Sequence, residues 1–199
     1  MLTAVLTIVT LTSKDLRGFM VRTPGIMWAA ICLYISTMYA LTCYPKVARS
    51  VPLNYILLFV FTLSMSWVVA FISSKFSPKI VATAAVLTAL MMIGLTAYAC
   101  LTRTDFTMLG GFLTAASFVI LGMIFFGIFV TNKFYHAAIS AGIILLMSVY
   151  IIYDTQLIVG KNSSKFMIDD YILAALCLYL DIVNLFLSIL QLLSCATGN

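Results

Sequence analysis

The chain alternates long apolar runs with short polar connectors. Apolar runs cover 24–44, 53–73, 79–101, 109–131, 136–159 and 171–194. A helix needs about 20 apolar residues to match the hydrocarbon thickness of a bilayer, so each run is read as one membrane-spanning helix. Pro24, Pro45, Pro52 and Pro78 fall at or near run ends, where a missing N–H breaks no helix. Small residues such as Ala82, Thr83, Ala84 and Ala85 recur within the runs and allow close packing of membrane helices. No connector exceeds about a dozen residues, so no soluble domain can be cut out and residues 1–199 are read as a single polytopic domain. The first segment, MLTAVLTIVTLT (1–12), is apolar but too short to span. Basic residues follow it instead of preceding it, unlike a signal peptide. It is read as the second half of a truncated first helix, which gives six complete spans and a partial one.

Composition strengthens this reading. The 199 residues are 64% hydrophobic and 9% charged, against about 25% charged in soluble domains. The net charge is +5, but the eleven Lys and Arg fall almost entirely between apolar runs, where they meet lipid headgroups. The bilayer is thus the expected partner, and no nucleic acid is. The basic residues split six (Lys14, Arg17, Arg22, Lys75, Lys79, Lys133) against five (Lys46, Arg49, Arg103, Lys161, Lys165) between the two sides, which sets no orientation. Cys32, Cys43, Cys100, Cys177 and Cys195 form no CxxC pair and read as small buried hydrophobes. There is no internal repeat, low-complexity tract or Gly-rich phosphate loop. The sequon Asn162-Ser163-Ser164 lies close to the membrane on both sides and carries little weight.

Two aspartates stand inside the apolar runs. Asp154 lies in IILLMSVYIIYDTQLIVG (143–160) and Asp181 in YILAALCLYLDIVNLFLSILQLL (171–193). A charge at that depth costs about 2.5–3.5 kcal/mol on insertion scales, so each is a functional candidate. At 100° per residue, Cys177, Asp181, Asn184, Ser188 and Gln191 form one polar stripe, expected to face the bundle interior or a water-filled cavity. Asn184 is one turn from Asp181, and Tyr150 one turn before Asp154; each is a candidate donor to its carboxyl. No base lies in the middle of a run. Arg49, before SVPLNYILLF, could snorkel inward as a latch or serve as an interfacial anchor. Close carboxyls cannot both ionise cheaply, so a pair of them holds one proton and responds to pH. It can also meet a hard cation such as Ca²⁺ through oxygen. Hydrolysis finds no supporting nucleophile: the only histidine, His136, lies near a run start without metal-ligand spacing, so the chain is not expected to be an enzyme.

YDTQLIVG (153–160) and DDYILAALCLYLDIVNLFLSILQLL (169–193) closely resemble the C-terminal signature of the Bax inhibitor-1 family, nearest its lifeguard, or glutamate-receptor-associated, branch. VPLNYILLFVFTLSMSW (51–67) resembles that branch's third helix, and LTRTDFTMLGGFL (101–113) the connector before its fifth. The resemblance implies an all-α seven-helix bundle with a cytosolic N-terminus, the last helix central and the first one truncated here. It implies a pH-sensitive Ca²⁺ leak in an intracellular membrane, endoplasmic reticulum or Golgi, with the plasma membrane as a further option, and protection from apoptosis. It assigns Asp154 and Asp181 as the pH-sensing and Ca²⁺-contacting pair and Arg49 as the nearest match to a latch. The soluble N-terminal segment and full first helix of the family are missing. Asp169-Asp170-Tyr171 replaces its usual Glu-Glu-Tyr, which keeps the charge that suits a helix start. No cofactor is expected beyond Ca²⁺ as permeant or bound ion. Two other functions use the same residues. One is a non-conducting adaptor that contacts apoptosis-regulating membrane proteins, with the aspartates as packing pairs. The other is a proton-coupled transporter. Oligomeric state is not readable.

Overall fold

The computed structural model describes residues 2–160 and 171–197, and these are helical almost throughout, with no strand among them. The helices are α1 (Leu2–Thr12), α2 (Lys14–Arg22), α3 (Pro24–Cys43), α4 (Pro45–Ala48), α5 (Leu53–Ser73), α6 (Pro78–Leu101), α7 (Gly110–Gly127), α8 (Lys133–Val159) and α9 (Tyr171–Thr197). A single 3₁₀ turn, Thr107–Leu109, leads into α7. Six helical stretches are long and apolar enough to cross a membrane: Gly25–Cys43, Leu53–Ser73, Pro78–Leu101, Thr107–Gly127, Lys133–Val159 and Tyr171–Thr197. The protein is a multi-pass, all-α membrane protein. The apolar helix α1, eleven residues long, is shorter than these six spans. The sequon at Asn162 and the acidic pair Asp169-Asp170 lie outside the described residues.

Local chemistry sets the boundaries. Prolines open α3, α4 and α6, and Pro52 immediately precedes α5. Proline's fixed φ suits a first helical position, whose N–H has no intrahelical partner anyway. The larger departures from the pattern of apolar runs are at the α7–α8 turn and at the end of α9, which continues to Thr197. The run 109–131 stops being helical at Gly127, and the next helix starts at Lys133, three residues before 136. Asn132 explains the early start, because its side chain accepts the Phe134 N–H at 2.9 Å. At the end of α7 the chain returns closely: a Cβ on Gly127 would lie 3.2 Å from Cε1 of Tyr135, a tight approach that glycine relieves. Residues 14–22, expected as a polar connector, form α2.

The described residues fall into two compact units. The first contains residues 2–78 and 171–176. Here α1 and α3 both pack on α5, the most buried span, half of which is covered. Met20, Ala70 and Phe71 form a buried cluster flanked by Leu6, Met27 and Trp67. Thr7 and Thr10 are buried on α1, and their hydroxyls donate to the carbonyls of Thr3 and Leu6 one turn back, so a polar side chain enters the packing with its donor satisfied. Asn54, fully buried at the start of α5, donates through Nδ2 to the Ala48 carbonyl (3.2 Å) and to the Tyr171 hydroxyl (3.0 Å), and its Oδ1 accepts the Tyr55 N–H (2.8 Å).

The second unit contains residues 79–160 and 177–197. Here α7 packs along α8. Only 6% of the Thr107–Gly127 span is buried, and Phe118, Val119, Phe125 and Phe126 are exposed on it. In water such a face would be an aggregation hazard, whereas lipid tails cover it without cost. The same solvent logic corrects the expectation of buried cysteines. Cys32, Cys43 and Cys100 are exposed, while Cys177 and Cys195 are half-buried. A small apolar side chain gains nothing from leaving lipid for protein.

Candidate functional site

Helix α8 is 27 residues long and ends at Gly160, whose φ of 66° is left-handed; its N–H caps the Gln156 carbonyl at 3.1 Å. Asp154 therefore sits in the penultimate turn of a regular helix. Asp181 sits in the third turn of α9, within an uninterrupted helix. Both side chains are buried, with 7% and 8% of their surface exposed. The structure brings them together: the two carboxyl groups share a side-chain hydrogen bond. A hydrogen bond between two carboxyls needs a proton on one of them, because two carboxylates have no donor between them. The other oxygen of Asp181, Oδ2, is buried with no hydrogen-bond partner among the described residues, and so is Oγ1 of the neighbouring Thr155. Cys177, one turn before Asp181, lies within electrostatic reach of both aspartates.

The supporting residues divide. Ser188 is buried at 6%, while Asn184 is half-buried and Gln191 exposed, so the polar stripe of α9 is covered only in its central part. Among the described residues Asn184 makes no hydrogen bond to Asp181, contrary to expectation. Tyr150 is also reassigned. Its hydroxyl lies 2.9 Å from Oγ of Ser117 on α7. That serine's proton is used on the Leu113 carbonyl (2.9 Å), so Tyr150 is the donor to Ser117 and has no proton left for Asp154. Arg49 is exposed on the turn after α4, within the first unit. His136 Nε2 donates to the Val130 carbonyl at 2.8 Å, and the residue lines a cavity of about 250 Å³ with Gly127, Ile139 and Gln191. That role secures the α7–α8 turn.

Gln156 was not singled out by sequence. It is 2% exposed, and its amide is fully engaged. Nε2 donates to the Thr104 carbonyl at 2.9 Å and to the Ala99 carbonyl at 3.5 Å, and Oε1 accepts the Phe106 N–H at 2.8 Å. Its only signal in the chain is a third polar residue directly after Asp154 and Thr155, at a depth where a glutamine is also costly.

The pair can hold a proton and offers one unused oxygen to a cation. Among the described residues no group of three or more His, Cys, Asp or Glu side chains is placed to hold a metal ion.

The family model for inhibitors of apoptosis-promoting Bax1 matches residues 1–198. A Golgi anti-apoptotic protein of vaccinia virus (strain Lister) is 36% identical over 193 residues, covering 97% of this chain and 78% of its own. Protein lifeguard 4 of Mus musculus is 32% identical with the same coverage. Protein LIFEGUARD 1 of Arabidopsis thaliana is 38% identical over 171 residues, 83% of this chain and 71% of its own.

Proposed function

Because the chain belongs to the Bax inhibitor-1 and lifeguard family of apoptosis inhibitors, we propose that it acts as a pH-sensitive Ca²⁺ leak through the paired aspartates of α8 and α9. By this activity it would lower the load of an intracellular store and so oppose cell death. The observation that carries the reading is the buried carboxyl pair with an unpartnered oxygen, Asp181 Oδ2. A pair kept only to hold two helices together would gain by satisfying that oxygen, since a buried polar atom without a partner costs roughly 1–3 kcal/mol. An oxygen left open is one that water or a cation can reach during conduction. The proposed membrane is the Golgi or the endoplasmic reticulum; the name of the vaccinia relative supports the Golgi.

The pair gates by its proton count. With one proton held, a single negative charge is shared, and the hydrogen bond clamps α8 to α9. A second proton removes the charge and weakens the clamp. Loss of the first proton leaves two like charges side by side, and they push the helices apart unless a cation enters. Flux therefore varies with pH over the range in which the shared proton comes and goes. Conduction, not catalysis, is the proposed activity, and apoptosis-regulating membrane proteins are its proposed partners.

Purified protein in liposomes loaded with a Ca²⁺ indicator tests this. Wild-type flux should change with pH, and Asp181→Asn or Asp154→Asn should remove most of that change. A pH profile left intact by both variants would turn the reading toward a non-conducting adaptor whose aspartates are structural. Flux that requires an imposed proton gradient would instead indicate a proton-coupled transporter.

A further inference from the structure

We propose that Gln156 is a positioning residue that couples the aspartate pair to the connector 102–109, so that this connector moves when α8 moves. The inference rests on the gating role proposed above for Asp154 and Asp181.

Asp154 and Gln156 are two residues apart, which on a helix places them about 200° apart around the axis. One faces α9 and the other the opposite side. On that side Gln156 closes three hydrogen bonds with the end of α6 and the connector: to Ala99 and Thr104 carbonyls and from the Phe106 N–H. The contact continues up α8 in steps of three residues. The Tyr153 hydroxyl sits where a Cβ on Gly110 would be 3.0 Å away, and Tyr150 bonds Ser117. Tyr150, Tyr153 and Gln156 thus form an inclined row engaging α7 and the turn that precedes it. The connector itself is held stiff. Asp105 Oδ1 accepts both the N–H (2.9 Å) and the hydroxyl of Thr107, and Phe106 stands edge-on to Tyr98 of α6 with centroids 6.1 Å apart.

Helix α8 is consequently gripped on two sides at one level. A rotation or slide that separates Asp154 from Asp181 must strain or break bonds of an amide that has no spare partner. The titratable groups that meet Asp154 are Asp181 and Cys177 on α9 and Tyr153 on α8 itself, with Tyr150 beside Tyr153. Asp105, on the connector, is bonded to Thr107, and Gln156 and the tyrosine row link α8 to that connector.

Hydrogen–deuterium exchange on the full chain in lipid nanodiscs tests this with two readouts. In wild type, protection of the Phe106 amide, corrected for intrinsic rate, should fall as pH is taken across the range in which flux changes. Asp154→Asn should abolish that pH response. Gln156→Met should speed Phe106 exchange by about tenfold, the scale of one lost buried hydrogen bond, and should shift the pH profile of Ca²⁺ flux. Gln156→Glu keeps the acceptor for Phe106 but loses both donated bonds, and it should give an intermediate effect. Phe106 protection that stays constant in wild type while flux changes would overturn the coupling. That result needs no variant to fold. If Asp154→Asn leaves the flux profile itself unchanged, the gating role of the pair fails; if it flattens the profile while Phe106 protection never follows pH, only the coupling fails.

Discussion

Two buried polar side chains, Asn54 in the first compact unit and Asp181 in the second, mark opposite uses of polarity in a membrane protein. Asn54 is fully buried and fully employed: two donated bonds, to Ala48 and Tyr171, and one accepted from Tyr55. It ties the turn before α5 to the first residue of α9. Asp181 is nearly as buried, yet Oδ2 has no partner among the described residues and the other bond is to a second acid. A satisfied polar node rigidifies its surroundings, whereas a half-satisfied one is costly and persists where something else uses it. Burial alone does not separate glue from site; the count of partners does.

That contrast is open to attack by substitution. The largest loss of stability is expected for Asn54→Leu, which strands the buried Ala48 carbonyl. An unpaired buried group costs about 1–3 kcal/mol, so unfolding in detergent should shift by roughly that amount. The surviving folded protein should keep its pH-dependent flux. A loss of pH dependence without a loss of stability would place Asn54 in the site and erase the distinction.

Gly110→Ala comes next. Its Cβ would meet the Tyr153 hydroxyl at 3.0 Å. Off-rotamer adjustment of that ring costs about 0.5–1.5 kcal/mol, measurable as a lower midpoint in thermal aggregation. The double variant Gly110→Ala/Tyr153→Phe should recover most of the loss, because the clashing atom is gone. Without recovery, the α7–α8 contact would not be limited by this approach.

Ser117→Ala should cost less, on the order of 0.5–1 kcal/mol, the net value of one hydrogen bond. It frees the Tyr150 hydroxyl. If Tyr150 then turned to Asp154, the pH profile of flux would move in Ser117→Ala and return to wild type in Ser117→Ala/Tyr150→Phe.

Smallest in stability is Asp181→Asn, expected within about 1 kcal/mol of wild type, because an open carboxyl oxygen is exchanged for an amide of the same shape. Its consequence should be functional: a flat pH profile of flux. A destabilisation as large as that of Asn54→Leu would show that Asp181 is glue after all.

Much of this was legible from residue order because the bilayer is an unforgiving solvent. Six spans could be counted, since a helix crossing hydrocarbon must be long, apolar and internally hydrogen-bonded. Asp154 and Asp181 stood out because an acid at that depth is expensive wherever its helix packs. Proline positions marked four helix starts, since the residue's constraint is local. What only tertiary structure decided was partnership. A one-turn argument offers Tyr150 only Asp154, whereas its partner is a serine 33 residues away in sequence. Gln156 looks like one more polar residue near a helix end until the chain brings Thr104 and Phe106, about 50 residues back, against it. Asn184 shares a stripe with Asp181 and still does not bond to it. Periodicity assigns a side chain to a face and the medium sets the cost of putting it there. Hydrogen-bond partners are a property of which faces meet, and that is settled only when the helices have packed.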